Sequence, residues 1–320
     1  MDILFSTLNQ MGFLFLFIAI GFVMAKTKVL AIDGAKLLAK LESVIFIPAL
    51  ILDTFISQCT LEKLKSLWIY FVCGLGFILI CIPLARFLAR FCAKDAFLKN
   101  IYTYGLCFSN FGYMGNAVVQ AIFPEIFVEY LMFTLPFQCM IYVWAVPALL
   151  LPHGEGKLTL KDRVKSLKNP MFFAVASGIV LGLLNAQSFL PQFVLNVVKT
   201  SGNCMSPIAM LLTGIMVASA PIGKILKQKS VYFATFLRLL AIPAVLIAIL
   251  AFIPFDASYH TLLICAVASV AMPLGMNTII IPAAYGKDTT EAVGLTMVSH
   301  VLSVATIPLV FYFMNLFLLG

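Results

Sequence analysis

Charge is scarce in this chain. Asp, Glu, Lys and Arg make up 11% of its 320 residues, with 13 acidic against 21 basic side chains. A soluble protein needs a mainly hydrated exterior, and 62% hydrophobic residues at a mean hydropathy of +1.08 leave too little polar surface for one. Catalytic signatures are missing as well. There is no HExxH pair, no GxSxG elbow and no glycine-rich phosphate loop ending in lysine, so the chain is not expected to be an enzyme. None of the eight cysteines has CxxC spacing, and most lie inside apolar runs. They read as small buried hydrophobes rather than a disulfide frame or metal site, and no cofactor or metal is expected. No Lys or Arg precedes the first apolar run, while Lys26 and Lys28 follow it. That order argues against a cleaved signal peptide and for a first helix whose N-terminus lies outside.

What remains is apolar length. Runs of about 18 or more hydrophobic residues recur along the whole chain, which is the pattern of an all-α polytopic membrane protein. A β-barrel would alternate over strands of about ten residues, and these runs do not alternate. Ten helices are expected, over 8–25, 38–57, 66–90, 99–122, 126–151, 169–187, 202–221, 230–253, 259–285 and 289–319. The net charge of +8 does not point to nucleic acid, because the basic residues sit in the short gaps between runs. Only Lys63, Lys65 and Lys199 fall in even-numbered connections, and Arg238 falls inside a span. All the other basic residues are in odd-numbered connections, which makes those cytoplasmic and puts both termini outside a cytoplasmic membrane.

The longest polar connection, PHGEGKLTLKDRVKSLK at 152–168, separates five helices (1–151) from five more (169–320). Five is odd, so a duplicated unit inserts upside down, as in the inverted repeats of many secondary transporters. The halves echo each other. NFGYMGNAVV at 110–119 aligns with AMPLGMNTII at 271–280, pairing Asn116 with Asn277, Gly112 with Pro273 and Ala117 with Thr278. Gly and Pro in a helix interior cost about 1 and 3 kcal/mol against Ala. In hydrocarbon a broken helix persists only where protein or a water-filled cavity supplies hydrogen-bond partners. Two such breaks near mid-membrane would present free N–H groups and positive dipole ends to a carboxylate, with the amides of Asn110, Asn116 and Asn277 beside them. The plainer alternative is a pair of kinks whose asparagines bind neighbouring helices together.

Three stretches, SNFGYMGNAVVQAIFP (109–124), AMPLGMNTIIIPAAYGKD (271–288) and SHVLSVATIPLVFYF (299–313), resemble the auxin efflux carrier family. The resemblance implies a ten-helix fold similar to bile acid/sodium symporters, with a scaffold of helices 1, 2, 6 and 7. A transport domain of helices 3–5 and 8–10 would be built around broken, crossing fourth and ninth helices. It implies export or exchange of organic anions such as mono- or dicarboxylates by an elevator-like movement, and a homodimer through the scaffold helices fits that fold. On this likeness Asn110 and Gly115 match the fourth helix and Pro273 and Gly275 the ninth. Gln138 resembles a glutamine placed near substrate in helix five. With Gly112, Tyr113, Asn116, Asn277 and Thr278 these form the expected substrate site. Ala117 and Thr278 stand where the family usually has proline, and His300 stands where Thr is commoner.

Candidates for proton or sodium coupling are Asp53, Arg238, His300 and Ser303. Asp53 reads either as an intramembrane proton or cation site or as a hydrated group near the outer end of its helix. Arg238, about 13 Å deep at 1.5 Å per residue, either snorkels or pairs with an acid or an incoming anion. His300 is either a hydrogen-bonded core residue or a proton relay. Glu42 is expected at the membrane interface. A second function class stays open: a membrane sensor that keeps the transporter fold, binding an organic acid without moving it.

Overall fold

The computed structural model describes residues 2–30, 32–150, 170–218, 223, 228–275, 277–284, 287 and 289–319. The connection 152–168, the end of the seventh expected span and Met276 of the second break therefore lie outside the described residues. Almost everything described is helical. Among the described residues there is no strand, only an isolated antiparallel bridge between Ser109 and Leu274.

Helix α1 spans Asp2–Lys26. Helix α2 (Ile32–Leu41) runs through a π-turn at Glu42–Phe46 into α3 (Ile47–Gln58), with Pro48, which has no N–H to donate, just after the π-turn. The long α4 (Leu61–Cys92) starts where the Thr60 hydroxyl accepts the Lys63 N–H at 3.2 Å. Helix α5 (Ala96–Cys107) is capped the same way by Asp95 and stops in mid-chain. A π-turn at Phe111–Gly115 leads into α6 (Asn116–Ile122). Helix α7 (Phe127–Met140) continues as a wider π-helix over Ile141–Leu150. The second half holds α8 (Pro170–Leu183), α9 (Gln192–Asn203) and α10 (Met205–Ala218). Helix α11 (Lys229–Phe236) passes through a π-turn at Leu237–Ala241 into α12 (Ile242–Ala251). Then come α13 (His260–Ala271), α14 (Asn277–Ala284) and α15 (Thr290–Met314).

Among the described residues, five stretches are long and apolar enough to cross a membrane: Leu61–Cys92, Pro124–Leu150, Gln192–Ala218, Lys229–Ala251 and Thr290–Leu319. Segments 99–122 and 259–285 are not among them because each is split in the middle. The chain is thus an all-α protein embedded in a membrane. The seventh run starts earlier than expected. Gln192–Asn203 is helical and joins α10 at Cys204, so Lys199 sits on a helix rather than in a connection.

Lipid offers no hydrophobic drive between helices, so close backbone approach at small residues has to hold them together. Helix α1 packs along α10 through Gly21 and Gly214, while α8 lies on α3 with Gly178 and Gly182 against Phe55. Gly74 of α4 meets the Phe133 backbone of α7. A Cβ on Gly214 would collide with the Ile18 carbonyl and crowd the Phe22 amide, neither of which can move aside alone. Gly214→Ala is therefore expected to pry α1 from α10 at a cost of about 1–3 kcal/mol. A lower midpoint of thermal unfolding in detergent checks this.

Candidate functional site

The two interruptions meet. After Cys107 the chain turns extended at Phe108 (φ −109°, ψ 113°), and after Ala271 it does so at Met272 (φ −76°, ψ 152°). The two extended stretches lie antiparallel, bridged at Ser109 and Leu274, and the Asn110 N–H donates to the Pro273 carbonyl at 2.7 Å. Side chains satisfy more of the freed backbone. The Ser109 hydroxyl donates to the Ser269 carbonyl at 2.6 Å, and the Leu274 N–H donates to the Ser299 hydroxyl at 3.2 Å. The Thr278 hydroxyl donates to the Gly275 carbonyl at 3.0 Å. This is how two broken helices persist where no bulk water reaches them.

Four half-helix ends converge here, and their electrostatics separate. The carbonyl ends of α5 and α13 face Arg238, which is 1% exposed. Its guanidinium donates to the carbonyls of Leu106 at 3.0 Å, Met272 at 3.3 Å and Ser269 at 3.5 Å. One buried cation thus ties together both helix C-termini, where dipole ends are negative. The N-terminal ends of the following halves line a cavity of about 60 Å³ on another side of the crossing. Ser109, Asn110, Phe111, Gly112 and Tyr113 come from the first break, and Gly275 and Asn277 from the second. Tyr104 of α5, Gln138 and Tyr142 of the α7 span, Ser43 and Ile47 of the α2–α3 span, and Met171 of α8 complete it. No side chain caps the turn at Phe111–Gly115, so its leading N–H groups have no intrahelical partner.

The amides are held in place. The Asn277 side-chain N–H donates to the Tyr104 hydroxyl at 2.9 Å. The side-chain nitrogen of Asn110 lies 3.1 Å from Nε2 of His300, whose Nδ1 lies 2.8 Å from the Thr296 carbonyl. A smaller cavity of about 30 Å³ shares Phe111, Gly112, Gln138 and Met171 with the first and adds Asn116 and Thr134. Gln138 and Gly112 stand in the wall between the two. The cavities are small beside the roughly 150 Å³ cavity that admits benzene. In this conformation neither cavity has room for an aromatic ring system.

The expected site residues therefore divide. Asn110, Gly112, Tyr113, Gln138, Gly275 and Asn277 line the larger cavity, and Asn116 the smaller. Gly115, Pro273 and Thr278 line neither. Gly115 makes room for the Tyr130 hydroxyl, which donates to the Phe111 carbonyl at 3.3 Å, and a Cβ there would collide with it. Pro273 and Thr278 shape the second break. Of the coupling candidates, His300 reaches the cavity wall through Asn110, and Ser303 donates to the His300 carbonyl at 2.7 Å, one turn below. Asp53 is half-buried near the end of α3, with Lys199 of α9 as its charge neighbour, and lines neither cavity. Arg238 pairs with no acid among the described residues; its partners are carbonyls. Glu42 does not face solvent as expected of an interfacial group: it is 0% exposed in the π-turn before α3, and neither carboxylate oxygen has a hydrogen-bond partner among the described residues. Tyr104, Ser109, Ser43 and Tyr142 went unforeseen. The available signal was YTYG, two tyrosines in an apolar run just before a break, since a buried tyrosine hydroxyl needs a partner.

A crossing of two interrupted helices around a small polar cavity, in an apolar helical chain, is the build of a membrane transporter. The model of the membrane transport protein family matches residues 6–311, and the chain belongs to that family, the auxin efflux carriers. No curated protein matches it.

Proposed function

We propose that the chain is a secondary carrier that exports or exchanges small organic anions, mono- or dicarboxylates, across a cytoplasmic membrane. One observation carries this reading. The cavity at the crossing is lined by the N-terminal ends of two half-helices and by asparagine amides, while the opposing C-terminal carbonyls are bound by Arg238. Partial positive charge and N–H donors face the cavity, and partial negative charge is neutralised behind it. A carboxylate is held there without a lysine or arginine in the cavity lining.

In this reading the chain forms ten membrane segments in two inverted five-helix repeats joined by 152–168, with both termini outside. Packing supports it. The first segment pairs with the seventh (α1 with α10) and the second with the sixth (α3 with α8), a pattern that a two-fold exchange of the repeats maps onto itself. Those four segments would be the scaffold, and the crossing would ride on the others as an elevator past them. An inside-negative potential favours anion export by about 2.3 kcal/mol per charge per 100 mV.

The test is flux of labelled acetate, succinate, malate and indole acetate in proteoliposomes, under separate proton, sodium and potential gradients. Movement of one or more of the small acids, with indole acetate excluded or much slower, is the expected result. Binding without movement under every gradient would replace the carrier with a sensor.

A further inference from the structure

The hydrogen bonds around His300 fix more than its position. The side chain is 1% exposed and has two partners among the described residues. A carbonyl only accepts, so the 2.8 Å contact between Nδ1 and the Thr296 carbonyl puts a proton on Nδ1. The other nitrogen, Nε2, faces the side-chain nitrogen of Asn110 at 3.1 Å. An amide NH2 only donates, so Nε2 here carries a lone pair and the ring is neutral. The same bond engages one of the two N–H groups of the Asn110 amide. The other N–H and the carbonyl oxygen remain, on a residue that lines the cavity. An oxygen acceptor opposes a carboxylate.

We infer that His300 is a proton-uptake site that switches the Asn110 amide between a weaker and a stronger anion-binding orientation, coupling one proton to each carboxylate. A proton taken up at the Nε2 lone pair makes that nitrogen a donor. It then requires an acceptor, and rotation of the Asn110 amide supplies the side-chain oxygen. The same rotation releases both amide N–H groups from His300. The imidazolium gains a nearby counter-charge only when the anion is bound, and the anion gains a donor only when the ring is protonated. Each therefore strengthens the other's binding by the same factor. A monocarboxylate crossing with its proton would carry no net charge, so its transport would follow the proton gradient in place of the potential-driven export of an uncoupled anion.

The surroundings leave this exchange to Asn110. Elements packed against α15 carry Arg238 on the 237–241 turn, Cys265 on α13, Tyr232 on α11 and Lys26 at the end of α1. From α5, Tyr104 and Cys107 flank the break. Arg238 is bound to three carbonyls, Tyr104 accepts from Asn277, and Glu291, the carboxylate of α15 itself, accepts from Tyr102 at 2.8 Å. Arg238, Tyr104 and Glu291 are thus engaged away from His300.

This inference rests on the carrier reading, and its test separates the two. Titration calorimetry of the purified full chain with acetate, succinate and malate, in buffers of different ionisation heat, counts protons taken up on binding. The expected result is uptake of about one proton per anion near neutral pH, with affinity rising about tenfold for each pH unit lowered. In His300→Gln, whose amide bonds Asn110 without titrating, uptake should vanish and affinity should become flat with pH. Nitrogen NMR of histidine-labelled wild type should show a neutral, Nδ1-protonated ring that becomes an imidazolium when acid is added. Binding without proton uptake, uptake retained in His300→Gln, or a ring unchanged by ligand each overturns the coupling and leaves the carrier standing. If none of the acids binds, both fall.

Discussion

Arg238→Met should destabilise the protein more than any other change in the transmembrane region that keeps side-chain length. Two opposed terms decide the sign. Removing a cation from a 1% exposed position recovers its desolvation cost, which in some proteins makes such replacements neutral or favourable. Here the cation's partners are backbone carbonyls at two helix C-termini, and those cannot be replaced along with it. Hydrogen bonds to a charged group contribute about 1.5–3 kcal/mol each, and a buried acceptor left bare costs about 1–3 kcal/mol. Two of the three bonds, at 3.0 and 3.3 Å, are short enough to count fully. The carbonyls outweigh the recovered desolvation, and a loss of about 3 kcal/mol or more is expected. Arg238→Lys should fall between, because an ammonium lacks the planar fork that reaches α5 and α13 together. Thermal unfolding in detergent measures both. A Met variant as stable as wild type would mean that the crossing is held by its own backbone pairing, at Ser109, Asn110 and Pro273, without the guanidinium.

The breaks themselves were legible in the sequence. Gly112, Gly115, Asn110, Asn116, Pro273 and Asn277 are costly in an apolar helix, so their presence at matching places in two halves needed a reason, and the structure puts both interruptions side by side. The partners were not legible. Arg238 reads as a deep charge seeking an acid, because a sequence shows side chains and hides which carbonyls a chain break will orphan. Glu42 reads as interfacial beside Lys40. Nothing in ESVIF announces the π-turn that rotates it inward, where neither oxygen finds a donor among the described residues. Residues 192–201 read as a connection, with Lys199 counted there. In the structure Gly202 lets the helix Gln192–Asn203 approach the backbone at Leu50, a contact that no local signal reveals. His300 reads as either a core residue or a relay, and the relay proposal rests on its two hydrogen bonds, which no sequence pattern shows.

Asn277→Ala should all but abolish transport while leaving the fold intact. Asn277 opens α14, lines the larger cavity and bonds to the Tyr104 hydroxyl at 2.9 Å. Alanine is a better helix former than asparagine, and Tyr104 keeps a hydroxyl that can turn to a water in the cavity, so stability changes little. A bound carboxylate loses an amide donor. At about 1.5–3 kcal/mol for a hydrogen bond to a charged group, affinity falls by about 10- to 150-fold. Asn110→Ala should lose as much and also free His300 Nε2 from its partner, so the two variants should part on pH dependence. Asn277→Ala keeps the proton-linked response at reduced affinity, whereas Asn110→Ala loses it. Asn277→Asp should be the most severe, because a second negative charge in a cavity of about 60 Å³ repels the first across a few ångströms of low-dielectric protein. Flux of labelled succinate, measured beside a thermal midpoint for each variant, checks the series. If Asn110→Ala and Asn277→Ala both transport at the wild-type rate, the crossing is a structural joint and the anion binds elsewhere.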